Sequence, residues 1–196
     1  MAHEDLNTTD LDLTRERRLF LRYAPCEVVL CYGLRKEAEL ERVAVAVGSG
    51  AHASAALRFG SDLAGADGSL TAVRVNPDIG PDAERVGLRR IDAEVLKALG
   101  SGRAGIARRV VVDDEAHRGI KRVWDEGAHD LIVLGASRHG ILGSHPARGK
   151  AGKLFKGKVR PVVAIVRAEA PIRNRFRSLA EGAVERFVPQ IDRDNR

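Results

Sequence analysis

Aromatic residues make up only 4% of this 196-residue chain, with one Trp, two Tyr and five Phe. So sparse a set supplies no row of stacking platforms for single-stranded nucleic acid. Two cysteines cannot build a disulfide scaffold. Cys26 and Cys31 are five apart and on a strand point to opposite faces, so they form no metal pair. They read as small apolar residues, reduced in the cytosol. His3, His52, His117, His129, His139 and His145 show no ligand spacing such as an i, i+4 pair with a Glu, so no metal is expected. No apolar run approaches the roughly 18–20 residues of a membrane span. The strongest runs, 43–47 and 131–134, are strand-sized. The first fourteen residues carry Glu4, Asp5, Asp10 and Asp12 and no Lys or Arg, the wrong sign for a secretory or transit signal. The expectation is a soluble, cytoplasmic protein. Its 44% apolar content excludes a wholly disordered chain.

The scarcity of acid is local. From 131 to 168 there is none, while Arg138, Arg148, Lys150, Lys153, Lys156, Lys158, Arg160 and Arg167 all fall there. The net charge of +6 is therefore a +8 segment on a slightly acidic remainder. Basicity of that kind reads as a solvated surface or a phosphate-binding loop, and no DNA or RNA module accompanies it.

From residue 41 onward, strand and helix signatures alternate. Residues 42–47 are short, apolar and β-branched, a buried strand ended by Gly48, Ser49 and Gly50. Helical spacing follows over 53–64, with Ala56, Leu57, Phe59, Gly60 and Leu63 as its apolar positions. A second strand runs over 69–75 and is ended by Asn76 and Pro77. Pro81 and Asp82 open a helix with Leu88, Ile91, Val95 and Leu99 as its stripe, stopped by Gly100. Residues 106–112 form a third strand. Acids at 113–115 then favour the start of a helix whose inner face is Ile120, Val123 and Trp124. Residues 130–134 and 161–166 are the fourth and fifth strands, separated by a Gly- and Lys-rich stretch. Continuously apolar strands alternating with helices imply an α/β fold: a five-stranded parallel, Rossmann-like sheet sandwiched by helices.

Two flanks complete the expected organisation, which divides the chain at 1–40, 41–168 and 169–196. In the C-terminal flank, Ile172, Phe176, Leu179, Ala183 and Phe187 recur at helical spacing among arginines. This is an amphipathic helix that packs on its own domain or a partner subunit, with an anionic membrane surface as the alternative. In the N-terminal flank, Leu19 and Phe20 precede an apolar strand over 26–32 much as Leu154 and Phe155 precede the strand over 161–166. An apolar strand left unpaired is an aggregation liability, so the 26–32 strand must pair within the chain or across a dimer.

In a parallel α/β sheet, ligands bind at the carboxyl ends of strands where strand order reverses. Two loops suit that role. One is Gly48-Ser49-Gly50. The other follows the 130–134 strand with Gly135, Ser137, Arg138, Gly140 and Gly143, and runs on to Gly149 and Lys150. Glycines let backbone N–H groups approach anionic oxygens, a following helix N-terminus favours negative charge, and Arg138, Lys150 and Lys153 add charge-assisted bonds.

The run DLIVLGASRHG over 130–140, with the terminal strand at 161–166, resembles the universal stress protein family, and among its members the transporter-associated variants most. The resemblance covers about 42–168. It implies a five-stranded Rossmann-like sheet, dimerisation through the last strand, and either ATP binding or a ligand-free regulatory role. Residues 24–28 also resemble the family's terminal strand, so the N-terminal flank looks like the tail of a truncated first domain. The 26–32 strand is then expected beside the 161–166 strand, as a pseudo-dimer or across a homodimer. The family's binding pattern is glycine, two residues, glycine, nine residues, then glycine followed by a hydroxyl residue. Gly135 matches its first position. Arg138 stands at the second, and Gly149-Lys150 comes one residue late with lysine for the hydroxyl. Gly48 stands where the family places a first-strand aspartate. Val75, ending the second strand, either lines an adenine pocket or is a core valine. The implied ligand set is Gly48, Ser49, Val75, Gly135, Ser137, Arg138, Gly140, Gly149 and Lys150, with ATP or a related adenine nucleotide as cofactor.

Enzymatic readings fare worse. A P-loop needs four residues between its glycines and a Ser or Thr after the Lys, whereas residue 144 is Ser and residue 151 is Ala. The stretch 135–139 nearly makes a nucleophile elbow, but His139 replaces its final small residue. No base, nucleophile and orienter converge. The expectation is a stress-response regulator that is not an enzyme. The alternatives are a scaffold or regulatory partner of a membrane transporter that binds no nucleotide, and a slow nucleotide hydrolase.

Overall fold

The computed structural model describes residues 24, 26–33, 39–77, 80–101, 105–136 and 162–169. These hold six strands and three helices: β1 (Val28–Tyr32), β2 (Arg42–Ala46), α1 (Ala51–Ala64), β3 (Ser69–Asn76), α2 (Ala83–Leu99), β4 (Ala107–Val112), α3 (Ala116–Asp125), β5 (Leu131–Gly135) and β6 (Val163–Arg167). One sheet contains all six strands, in the order β1-β6-β5-β2-β3-β4. Five are parallel, and β1 runs antiparallel to β6. The expected five-stranded parallel sheet is thus corrected to a six-stranded mixed one.

The sixth strand has a physical reason. β6 is a five-residue run, Val163 to Arg167, with every residue buried. Left at an edge, it would offer unpaired backbone groups beside apolar side chains. β1 covers it, with Val28 opposite Arg167 and Tyr32 opposite Val163. This is the pairing expected of the 26–32 and 161–166 strands, made within one chain. Because β1 is antiparallel, it ends at the side of the sheet where β2 begins. The nine residues between Tyr32 and Arg42 need only cross three strand spacings, about 14 Å. Arg167 also corrects the reading of the basic segment as solvated. It is 5% exposed, and its Nη1 donates to the Ala24 carbonyl at 2.8 Å. Cys26 and Cys31 are both exposed, so they do not serve as core residues.

Two apolar layers flank the sheet. On one face, Val43, Val45, Leu70, Ala72, Leu131, Val133, Ala164 and Val166 pack under Ala56 and Leu57 of α1 and Ile91 and Val95 of α2. On the other, Ile120 and Trp124 of α3 pack against Ile132, Leu134, Val163 and Ile165, while Val123 joins Ala44, Val73 and Val111. α1 lies close because of Gly60, where a Cβ would stand 2.5 Å from Val45 Cγ2. The α1 stripe is narrower than its spacing predicts, since Leu63 is exposed. Among the described residues no helix is long and apolar enough to cross a membrane. The sequence elements over 137–161 and the C-terminal helix over 170–196 lie outside the described residues.

Candidate functional site

Strand order reverses between β2 and β5. From β2 the chain moves through α1 and α2 to β3 and β4, then returns past β2 to β5 and β6. The crevice beyond the carboxyl ends of β2 and β5 is therefore the switch point, where open α/β sheets bind ligands. Both loops singled out in the sequence start there.

The first wall is residues 47–50. The Val47 amide donates to the Val73 carbonyl at 2.7 Å, carrying the β2–β3 ladder one residue past the strand. Gly48 and Ser49 are exposed, and a Cβ on Gly48 would meet nothing within 4 Å. Gly50 adopts φ 87°, a left-handed value that favours glycine, and turns the chain into α1. Its carbonyl accepts from the amides of Ala53 and Ser54 at 3.1 and 3.2 Å. α1 begins with no side-chain cap and no acid in its first turn, so its positive end is not offset there.

The second wall is Gly135 and Ala136. A Cβ on Gly135 would stand 2.9 Å from the His52 carbonyl oxygen, so this glycine lets β5 end against the start of α1. The Ala136 amide donates to the Val166 carbonyl at 2.8 Å, and the Ala168 amide donates to His52 Nδ1 at 3.0 Å. The first turn of α1 is thereby tied to the ends of β5 and β6. Ser137, Arg138, Gly140, Gly149 and Lys150 lie outside the described residues. Of the sequence-derived set, Gly48, Ser49 and Gly135 come together at the crevice. Val75 sits one strand over, half-buried on the opposite face of the sheet. There it packs with Ala44, Val73, Val111 and Val123, close under Gly119 of α3.

Sequence reasoning missed two residues. Arg74, half-buried on β3, donates from Nη1 to the carbonyls of Val47 at 3.3 Å and Gly48 at 3.2 Å. Its Nε donates to Asn76 Oδ1 at 3.0 Å. Asn76 is buried and donates from Nδ2 to the Ala83 carbonyl at 2.8 Å, fixing the start of α2. Burial, then the nearby Arg90, pulls the Arg74 pKa below the ordinary arginine value, against a smaller opposite effect of Glu94. The signal was present in the period of the strand. Leu70, Ala72, Arg74 and Asn76 share one face, so two polar residues end a buried row.

Away from the crevice, a shallow cleft of about 390 Å³ is lined by Arg118, Lys121, Arg122, Asp125 and Glu126 of α3 and its end. Its charges are already paired, with Glu126 meeting Arg109 on β4. Arg118 and Arg122 both meet Asp113 at 3.0 Å, and Lys121 meets Asp125 at 2.6 Å. The Asp113 carboxyl is held below its usual range chiefly by the Glu115 backbone amide, with Arg118 adding to it.

No family model and no curated protein matches the chain. Solved structures do. A universal stress protein from Archaeoglobus fulgidus DSM 4304 superposes with TM-score 0.51 and 16% identity, over 74% of this chain and 51% of that one. A protein from the universal stress protein family from Burkholderia pseudomallei gives TM-score 0.42 and 21% identity, over 66% of this chain and 97% of that one. The chain thus spans about half the length of the Archaeoglobus structure. The fold is that of the universal stress proteins.

Proposed function

We propose that the chain is a stress-response regulatory domain of the universal stress protein kind that binds an adenine nucleotide, ATP or a relative, at the β2–β5 crevice. The observation that carries this reading is the convergence of two glycine-bearing loops at the switch point. There Gly48 leaves open space, and α1 starts without an acid to compete for its amides. Ser49 supplies a hydroxyl beside them. Ser137, Arg138, Gly140, Gly149 and Lys150 remain part of the proposed ligand set on the strength of the sequence. Binding rather than chemistry is the role in this reading. β1 pairs with β6 within the chain, and in this reading that contact stands in for the one a second copy would make.

One observation favours the scaffold reading. Gly135 is explained without any ligand, since α1 itself occupies the space of its missing side chain. Isothermal titration with ATP, AMP and cyclic AMP, at low and physiological salt, separates the two. Saturable binding of ATP that persists at physiological salt supports the nucleotide reading. Absence of binding to all three overturns it and leaves a domain that works through protein contacts, such as with a membrane transporter.

A further inference from the structure

The guanidinium of Arg74 is only partly satisfied. Of its five N–H groups, three are used: Nε on Asn76, and the two of Nη1 on the Val47 and Gly48 carbonyls. The two on Nη2 have no hydrogen-bond partner among the described residues. Every acceptor it holds is neutral, so its charge has no contacting counter-ion there. Arg90 raises the cost of that charge further, and Glu94 offsets it in part without touching it. A second group beside the same loop is also incomplete. Ser54, in the first turn of α1, is 6% exposed, and its Oγ lacks a partner among the described residues, although its amide bonds to the Gly50 carbonyl. Among the described residues the half-buried cation beside this four-residue loop touches no anion, and Glu94 acts on it only at a distance. The open Nη2 edge is met by a group with negative oxygens.

We propose that Arg74 is the anion-recognising residue of the crevice, its Nη2 edge taking a phosphate oxygen of the bound nucleotide while Nε and Nη1 hold the loop over 47–50 in place. The inference rests on the nucleotide reading above. It gives that site a fixed cation on β3, independent of the basic loop beyond β5. The orientation is set before binding, because Asn76 anchors Nε and is itself anchored to α2. A pre-oriented guanidinium loses little freedom when it meets a phosphate.

Affinities of the wild-type chain, Arg74→Gln and Arg74→Lys for ATP, AMP, adenosine and inorganic tripolyphosphate test this, with thermal unfolding recorded for each variant. The expected result is an affinity for ATP and tripolyphosphate about 10- to 100-fold weaker in Arg74→Gln, with adenosine unchanged. Arg74→Lys keeps the charge and should keep most of the preference for ATP over adenosine. If ATP binding is unchanged in Arg74→Gln, the inference is overturned. It is equally overturned if ATP and adenosine weaken together in step with a lowered Tm, since Arg74 would then only support the loop. Should Arg74→Gln fail to fold, the guanidinium nitrogen NMR signals of Arg74 in the wild-type chain decide: a shift on adding tripolyphosphate upholds the role, and no shift at saturation rejects it. A wild-type chain that binds tripolyphosphate through Arg74 but no nucleotide retains the inference and loses the nucleotide reading. Binding of neither overturns both.

Discussion

The two ends of the parallel sheet are held together by different chemistry. At the amino end, cations meet anions. Arg42 at the start of β2 clasps Asp130 before β5, with Nη2 2.6 Å from Oδ1 and Nε 3.1 Å from Oδ2, while the Arg42 amide donates to Oδ2 at 3.0 Å. Arg109 of β4 pairs with Glu126, and Arg108 with Asp92. At the carboxyl end of β2 and β3, Arg74 meets only carbonyl and amide oxygens. At the paired end each of these cations contacts a carboxylate, although the buried Nδ1 of His129 lacks a hydrogen-bond partner among the described residues. The crevice end is left with positive charge, two open N–H groups and a glycine loop. The difference supports the proposed site, because a cation open to an outside partner lies where the strand order makes room for one.

The contrast can be broken or sharpened by substitution. The largest effect should come from Gly135→Val, which forces side-chain carbons into the His52 carbonyl and prises α1 from β5. Overpacking of this kind costs roughly 1–3 kcal/mol. Urea unfolding should show a lowered midpoint, and nucleotide binding should fall with it. An unchanged midpoint would mean that α1 is not seated on β5 as described.

Asp130→Asn weakens the amino-end clasp and should lower Tm by about 2–4 °C in a thermal melt. Because the crevice lies at the other end, its affinity for ATP should stay within about twofold, a shift of under half a kcal/mol. A matching loss of affinity would show the two ends to be coupled.

The pH profile follows from the same groups. His129, next to Asp130, is 9% exposed, and burial pulls its pKa below the ordinary imidazole value, partly offset by a bond to the Val123 backbone. A depressed folded-state pKa means that the unfolded chain binds the proton first. The contribution is full above the unfolded value of about 6.5 and is lost as pH falls through the lower folded value. Asp130 and Glu126, whose carboxyls are held down first by their bonds to Arg42 and Arg109, behave alike in a lower window. Their contribution is present above the ordinary carboxylate range and is lost as pH falls below it. Unfolding free energy should therefore drop in two stages from pH 7 to pH 3, and His129→Gln should flatten the first. A single stage in the wild type would remove His129 from the account.

The smallest effect belongs to Arg85→Ala. Its pairing with Asp82 is 3.0 Å long, but both side chains are more than half exposed, so Tm should move by no more than about 1 °C.

Much of the fold beneath this contrast was legible in the sequence, though not the contrast itself, and the reason differs by element. Strand and helix order followed from apolar runs and glycine punctuation, and the switch point followed from that order. Strand ends drifted by one or two residues: β6 starts at Val163 rather than at residue 161, and β1 at Val28 rather than at Cys26. Those ends depend on ladder partners that no local pattern states. The Arg42–Asp130 clasp joins residues 88 apart, and nothing local announces it. Arg74 was the instructive omission. An arginine inside an apolar strand passes for an outward-facing residue until the period of two is counted from Leu70. The isolated glycines at 60 and 119 had a readable meaning as helix–sheet contacts, since an unexplained helical glycine marks close packing.

The central claim, that the crevice is the binding site, is tested most directly by amide hydrogen exchange of the whole chain with and without saturating ATP. The account predicts slowed exchange at residues 48–54 and 135–136, with α3 and the Arg42–Asp130 end unchanged. Protection confined to α3 or spread evenly over the sheet, with no change at residues 48–54, would contradict it.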